Sequence, residues 1–97
     1  MFLHNSQHWC IIDPMTAGFH SDEHEKFQAV LRGVRAERDL TQAEVARKMS
    51  IPQGRVSRFE SGQRRMDLVE LRRWCLAVGV SMEEIVRRFD EAVRSDE

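Results

Sequence analysis

Hydrophobic residues recur every three or four positions along most of the chain, and no segment alternates between apolar and polar residues as a β-strand does. The first such repeat predicts a helix from Asp22 or Glu23 to Arg38. Its inward positions are Phe27, Val30, Leu31 and Val34. Continued along the chain, the pattern predicts an all-α protein, a compact five-helix bundle with connections of two to about seven residues.

Two short helices follow the first one, separated by a tight turn. Thr41 and Glu44 have the spacing of a capping box, in which each side chain bonds the backbone N–H of the other residue. The segment Ser50-Ile51-Pro52 ends this second helix, because the residue before a proline leaves the α region and the proline suits only a helix start. The third helix begins near Gln53 and stops at Ser61-Gly62. This arrangement is typical of a helix-turn-helix, whose second helix enters the major groove of DNA.

The fourth and fifth helices complete the bundle. Leu68 to Val78 should form the fourth, with Asp67 as its N-cap and Gly79 as its stop. The fifth should begin after Ser81, where Glu84 would complete a second capping box, and reach Arg94.

The fourth helix carries more apolar residues than one inward stripe needs. The predicted inward positions are Leu68, Leu71, Trp74, Cys75 and Val78. Val69 and Leu76 then face elsewhere, and in the fifth helix Phe89 and Val93 also exceed what one bundle requires. Because surplus apolar surface often covers a partner, we expect a two-fold homodimer, with Leu76, Phe89 and Val93 as candidate interface residues. Alternatively, these are ordinary surface residues.

The outer face of the third helix is polar and basic. A helical wheel places Val56 and Phe59 inward and Gly54, Ser57 and Arg58 outward. Gln53 and Arg55 flank this outer face. Arginine can pair with guanine and glutamine with adenine through two hydrogen bonds each. Gly54 costs about 0.8 to 1.0 kcal/mol relative to alanine, a cost that close approach to DNA would explain. Alternatively, this is only a solvated charged face.

Residues 31 to 86 resemble the lambda-repressor-like, Cro-type helix-turn-helix family, often called the Xre family. The resemblance rests on Leu-Thr-Gln at 40–42, Ser-Arg-Phe-Glu-Ser-Gly at 57–62 and Val-Gly-Val-Ser at 78–81. It implies an ion pair between Arg35 and Glu60 that joins the first and third helices. The residues implied to read DNA bases are Gln53, Gly54, Arg55 and Arg58. The residues implied to contact phosphates are Gln42, Ser57, Arg64 and Arg65.

Two residues depart from the pattern of this family. Ser50 and Asp39 stand at positions where the family commonly has glycine. We expect φ above zero at both sites, which serine tolerates poorly and aspartate rather better. The fold should survive these departures, but the turns should be strained.

The charge of the chain is distributed unevenly. Although the overall net charge is −1, residues 32–73 carry eleven Lys and Arg against six acidic residues, a net charge of +5. Residues 1–31 and 74–97 each carry a net charge of −3. A polyanion such as double-stranded DNA would meet the basic middle segment. The acidic ends would discourage non-specific binding, or simply be solvated termini.

The first twenty residues are the least informative. We expect residues 1–20 to form an N-terminal arm, flexible or packed on the bundle, before a DNA-binding domain at 21–94 and a frayed tail at 95–97. His4, His8, Cys10, His20 and His24 are potential metal ligands. Their spacing matches no compact zinc finger, so we predict no metal site and no cofactor. Two cysteines are too few for a disulfide framework.

We therefore expect a sequence-specific DNA-binding transcriptional regulator, a dimeric repressor of a palindromic operator. The alternatives are an antitoxin that also binds a toxin protein, and an interaction module that has lost DNA binding. No nucleophile, base and phosphate-binding loop come together as an enzyme would require. The chain also lacks a secretory signal and a membrane-spanning apolar run, so we expect a cytoplasmic protein.

Overall fold

The structure, a computed structural model, describes residues 22–95. These residues form five helices and no strand, which confirms the predicted all-α bundle. The helices are α1 (Asp22–Glu37), α2 (Gln42–Met49), α3 (Gln53–Ser61), α4 (Leu68–Val78) and α5 (Met82–Arg94). The predicted arm and its potential ligands His4, His8, Cys10 and His20 lie outside the described residues.

One apolar core joins all five helices. Trp74 of α4 and Leu31 of α1 are fully buried in it, and Ile85 of α5 is almost as completely buried. The other buried apolar residues are Val34, Val45, Ala46, Val56, Phe59, Leu71, Cys75 and Val78. Burial raises the pKa of the Cys75 thiol, so this cysteine is held as the neutral thiol.

The helix ends follow the sequence signals closely. Thr41 and Glu44 form the predicted capping box, and α3, α4 and α5 have the predicted bounds. Gly62 and Gly79 end α3 and α4 with φ of 87° each. The predicted positive φ at Asp39 and Ser50 is confirmed, with values of 57° and 59°.

Two local predictions are wrong. Leu68, predicted to face inward, is 70% exposed, because it is the first residue of α4 and side chains tilt towards the N-terminus of a helix, so that it projects past the helix end. Glu84 does not complete a capping box. Ser81 accepts the Glu84 backbone N–H at 3.0 Å, but the Glu84 carboxylate instead accepts hydrogen bonds from Arg87 and Arg88 at 2.6 and 2.8 Å.

An ion pair and an aromatic contact join α5 to α1. Arg88 bridges Glu84 on its own helix and Glu37 at the end of α1, the latter at 2.8 Å. The hydrogen bonds from Arg87 and Arg88 lower the pKa of Glu84 to about 2, and that from Arg88 lowers the pKa of Glu37. Phe89 of α5 also packs edge-on against Phe27 of α1, with their ring centroids 5.8 Å apart. This candidate dimer residue is thus partly used within the bundle.

Candidate nucleic-acid interface

The turn between α2 and α3 is held by backbone hydrogen bonds. Ser50, in the left-handed conformation, donates its backbone N–H to the carbonyls of Ala46 and Arg47. The backbone N–H of Ile51 bonds the Ala46 carbonyl at 3.0 Å. Pro52 then begins α3 without a side-chain cap. The last carbonyls of α2 therefore find donors within the turn itself, and this fixes the direction in which α3 leaves it.

α3 presents the predicted face to solvent. Val56 and Phe59 are buried, whereas Gln53, Gly54 and Arg58 are exposed. Arg55 and Ser57 are half-buried at the sides of this face. Among residues 22–95, no carboxylate forms a salt bridge with Arg55 or Arg58. The exposed side of α3 therefore carries two arginines whose charge no acidic side chain of the described part neutralises.

The structure explains why position 54 is a glycine, which the sequence alone did not. A Cβ at this position would lie 3.2 Å from Nη1 of Arg58, closer than ordinary van der Waals contact. Because glycine has no Cβ, the Arg58 side chain can extend back along α3 and place its guanidinium over residue 54, one turn before Arg58. In the sequence, only the four-residue spacing between Gly54 and Arg58 could have indicated this contact.

A buried carboxylate anchors the inner side of α3. Glu60, 2% exposed, accepts hydrogen bonds from Nε and Nη2 of Arg35 at 2.7 and 3.0 Å. Arg35 also donates to the Leu40 carbonyl at 2.8 Å, and Arg32 donates to the Glu60 backbone carbonyl at 2.6 Å. The ion pair implied by the resemblance is thus present, and it joins α1, α3 and the loop before α2.

Gln42 belongs to the same network. This residue, implied to contact phosphate, is half-buried and donates its side-chain amide to Glu60 Oε1 at 3.0 Å. Its amide nitrogen carries two hydrogens, of which this bond uses one. Glu60 therefore fixes the position of the Gln42 side chain at the first residue of α2.

The two arginines after α3 have different surroundings. Arg64 forms an ion pair with Glu70 at 2.8 Å, and its guanidinium lies 5.6 Å from the centre of the Phe59 ring. Arg65 is exposed, and its charge lowers the pKa of His24, although burial of that imidazole is the larger cause. Both arginines lie just after the C-terminal end of α3, where the resemblance implied phosphate contacts. Arg64 is held there by an acidic and an aromatic side chain, whereas Arg65 lies near His24.

Residues 22–95 were also compared with the requirements of a metal site and of a membrane-spanning helix. No group of three or more potential metal ligands lies together in this part of the chain, which includes His24. None of its helices is both long and apolar enough to cross a bilayer.

Comparison with known proteins places this geometry in a family. A family model described as "Helix-turn-helix" matches residues 31–85, more than half of the chain. The chain belongs to the XRE-type helix-turn-helix family. It is accordingly a DNA-binding transcription regulator and not an enzyme. No curated protein matches the chain.

Solved structures show the same fold. One is an XRE-family like protein from Pseudomonas syringae pv. tomato, which is 24% identical with a TM-score of 0.71 over 81% of this chain and 96% of that one. Another is the clp gene regulator ClgR from C. glutamicum, 25% identical with a TM-score of 0.68 over 75% of this chain and 95% of that one. The described bundle therefore spans almost the whole length of both proteins.

Proposed function

We propose that this regulator is a repressor that binds a palindromic operator as a homodimer and reads it with α3 in the major groove. The base-reading residues would be Gln53, Gly54, Arg55 and Arg58. The phosphate contacts would come from Gln42, Ser57, Arg64 and Arg65. The observation that carries this proposal is the exposed basic face of α3, fixed at both ends by the Ser50 turn and the Glu60 network.

Arg58 is the strongest candidate for base recognition. Its side chain is exposed, lies over Gly54 and forms no salt bridge among residues 22–95. A guanidinium matches the two acceptors of guanine in the major groove, and such a contact contributes about 1 to 3 kcal/mol of discrimination. Gly54 has no side chain of its own, so that once Arg58 turns towards the bases the backbone of α3 could approach them closely.

The phosphate contacts would surround this face. Gln42 retains one N–H beyond the bond to Glu60, and an amide already held in place loses little entropy on binding phosphate. Arg64 and Arg65 follow the end of α3, and the Arg64–Glu70 pair is exposed enough to exchange for phosphate. The net charge of +5 in residues 32–73 would supply the sequence-independent attraction.

Dimerisation is part of the proposal because one α3 reads only a few base pairs. Two copies placed about 34 to 36 Å apart would read two half-sites on one side of the duplex. A palindrome occupied in this way over a promoter would exclude polymerase, which is the simplest route to repression.

Selection of bound sequences from random DNA tests the proposal. We expect an enriched palindrome whose half-sites are about one helical turn apart. Arg58→Ala should weaken binding by about 1 to 3 kcal/mol and relax the preference at one base pair of each half-site. Arg94→Ala, which removes an exposed arginine from the end of α5, is the matched control and should keep the preference. An unchanged preference in Arg58→Ala would remove this residue from the reading face.

A second variant separates phosphate contacts from base contacts. Arg65→Ala should weaken all sequences alike and reduce the slope of affinity against salt by about one unit. Loss of binding at one sequence only would contradict its phosphate role. If the wild-type protein enriches no sequence and shows no salt-sensitive binding, the fold serves protein interaction instead.

A further inference from the structure

One side of α1 follows the chain as it leaves α3. This side carries His24, Gln28 and Arg32, which lie about one helical turn apart and which we call the α1 stripe. Residues 62–67 connect α3 to α4, and we call them the exit loop. The exit loop carries the two arginines that are candidates for phosphate contacts, so whatever fixes the loop also bears on those contacts.

Arg32 binds the last turn of α3. Its Nη1 donates a hydrogen bond to the Glu60 backbone carbonyl at 2.6 Å. This carbonyl is among the last four of α3, which have no acceptor role within the helix itself. A cation at the C-terminal end of a helix is also favoured by the helix dipole. Arg32 thereby attaches the end of α3 to α1.

Gln28 packs against the first residue of the exit loop. It is a buried polar residue, 8% exposed, and its amide occupies the space in which a side chain of residue 62 would begin. A Cβ at Gly62 would lie no more than 3.0 Å from Nε2, Cδ and Oε1 of Gln28. Gly62 also has a φ of 87°, so this position requires glycine for two separate reasons. Gln28 therefore sets the distance between the exit loop and α1.

The exit loop is fixed to α3 as well. The backbone N–H groups of Gly62 and Arg64 both donate to the Arg58 carbonyl, at 3.1 and 3.2 Å. Arg65 follows directly. On the α1 side, burial lowers the pKa of His24 and the charge of Arg65 lowers it further, so Arg65 lies near the start of α1. The α1 stripe thus accompanies the chain from the last turn of α3 to the second arginine of the loop.

We propose that Gln28 and Arg32 are positioning residues for DNA binding, which hold the exit loop so that Arg64 and Arg65 reach phosphates. This inference rests on the proposed function, since it gives α1 a role in the proposed phosphate contacts. Gln28 is buried and acts without touching DNA. A loop that is already held in place loses less conformational entropy on binding. Loosening the exit loop should therefore weaken the phosphate contacts while α3 continues to read the bases.

Salt titrations of DNA binding by the full chain test the role of Gln28. The probes are the palindrome enriched from random DNA and a scrambled duplex of the same length. Gln28→Ala should bind both on the order of tenfold more weakly and reduce the slope of affinity against salt by about one to two units, because each neutralised phosphate contributes about 0.9. The ratio of the two affinities should stay near that of wild type, since the bases are still read.

The matched variant is Gln28→Met, whose side chain has nearly the same length and fills the same space beside Gly62. It should keep the wild-type slope. A Gln28→Met protein that loses as much of the slope as Gln28→Ala would overturn the inference.

A double-mutant cycle with Arg65 separates positioning from a general loss of stability. Because Gln28 acts through the exit loop, Gln28→Ala should cost no more than about threefold in affinity when Arg65 is already alanine. Equal losses in the presence and absence of Arg65 would overturn the inference, since independent effects add.

Arg32→Ala gives the same test at an exposed residue and serves if Gln28→Ala does not fold. Its loss should also shrink when Arg65 is alanine, whereas additive losses would contradict a positioning role. Arg38→Ala, which removes an exposed arginine just after the end of α1, is the matched control and should leave the slope unchanged.

Failure of the proposed function gives a different result. If Arg65→Ala itself leaves the salt slope unchanged, the phosphate role in the proposed function is refuted, and the inference with it. If Arg65→Ala reduces the slope while Gln28→Ala and Arg32→Ala do not, the proposed phosphate role stands and only the positioning role of α1 is overturned.

Discussion

Removal of Glu60 should destabilise this protein more than removal of any other described carboxylate. Glu60→Ala deletes two hydrogen bonds from Arg35 and one from Gln42. Arg35 would keep only its bond to the Leu40 carbonyl. The substitution therefore leaves a guanidinium charge without its counter-ion at the junction of α1, α2 and α3.

The magnitude follows from burial. The side chain of Glu60 is 1% exposed and that of Arg35 is 19% exposed. Breaking a fully buried pair by removing one partner costs about 3 to 5 kcal/mol. Because water reaches part of Arg35, we expect the lower end, about 3 kcal/mol. At roughly 4 to 8 °C per kcal/mol for a domain of this size, the melting temperature should fall by roughly 12 to 24 °C.

Urea unfolding followed by tryptophan fluorescence measures this loss, since Trp74 is fully buried in the core. Glu91→Ala is the control, because it removes an exposed partner of Arg87 and should cost no more than about 1 kcal/mol. Replacing Arg35 and Glu60 together with methionine and leucine should restore most of the stability, since no buried charge would remain. A Glu60→Ala protein as stable as Glu91→Ala would refute this reasoning.

Three further outcomes are expected. Ser50→Gly should stabilise the fold by about 1 kcal/mol in thermal unfolding, because glycine adopts a φ of 59° without strain; Ser50→Ala should give no such gain. Gly33→Ala should also stabilise, by about 0.5 to 1 kcal/mol, because a Cβ there meets nothing within 4 Å, and a lower melting temperature would contradict this. Since the pKa of Glu84 falls from 4.5 to about 2 on folding, its contribution is present above pH 4.5 and lost towards pH 2. The stability difference between wild type and Glu84→Gln should therefore shrink over that range, and a pH-independent difference would count against it.

Local signals in the sequence were sufficient for the helices and for the direction of α3. Capping residues, glycines and Pro52 act on the backbone within a few residues, so the bounds of α3, α4 and α5 could be predicted without any tertiary contact. Helical periodicity likewise placed Val56 and Phe59 inward, because their angular position on the helix follows from spacing alone.

The tertiary structure determined which hydrogen-bond partners the polar side chains have. Glu84 has the spacing of a capping residue, yet its carboxylate bonds two arginines. Gln42 follows an N-cap, yet the fold brings it to Glu60, eighteen residues away. The Gln42–Glu60 bond depends on how α2 packs against α3, and Arg88 also bonds Glu37 of α1. Local sequence patterns do not contain this information.

The same limit applies to burial at helix ends. Periodicity gives the side of α4 on which Leu68 lies, but only the folded arrangement of residues 22–95 shows that its side chain remains 70% exposed while Leu71, one turn later, is buried. Phe89 is the opposite case, since the packing of α5 on α1 places its ring against Phe27. The sequence thus determined the helices and the face that α3 presents, because those depend on neighbours along the chain. The resemblance implied the Arg35–Glu60 pair, but the hydrogen bonds that Gln42 and Arg32 make to Glu60 and the contact of Phe89 with Phe27 required the folded arrangement, because they depend on neighbours in space.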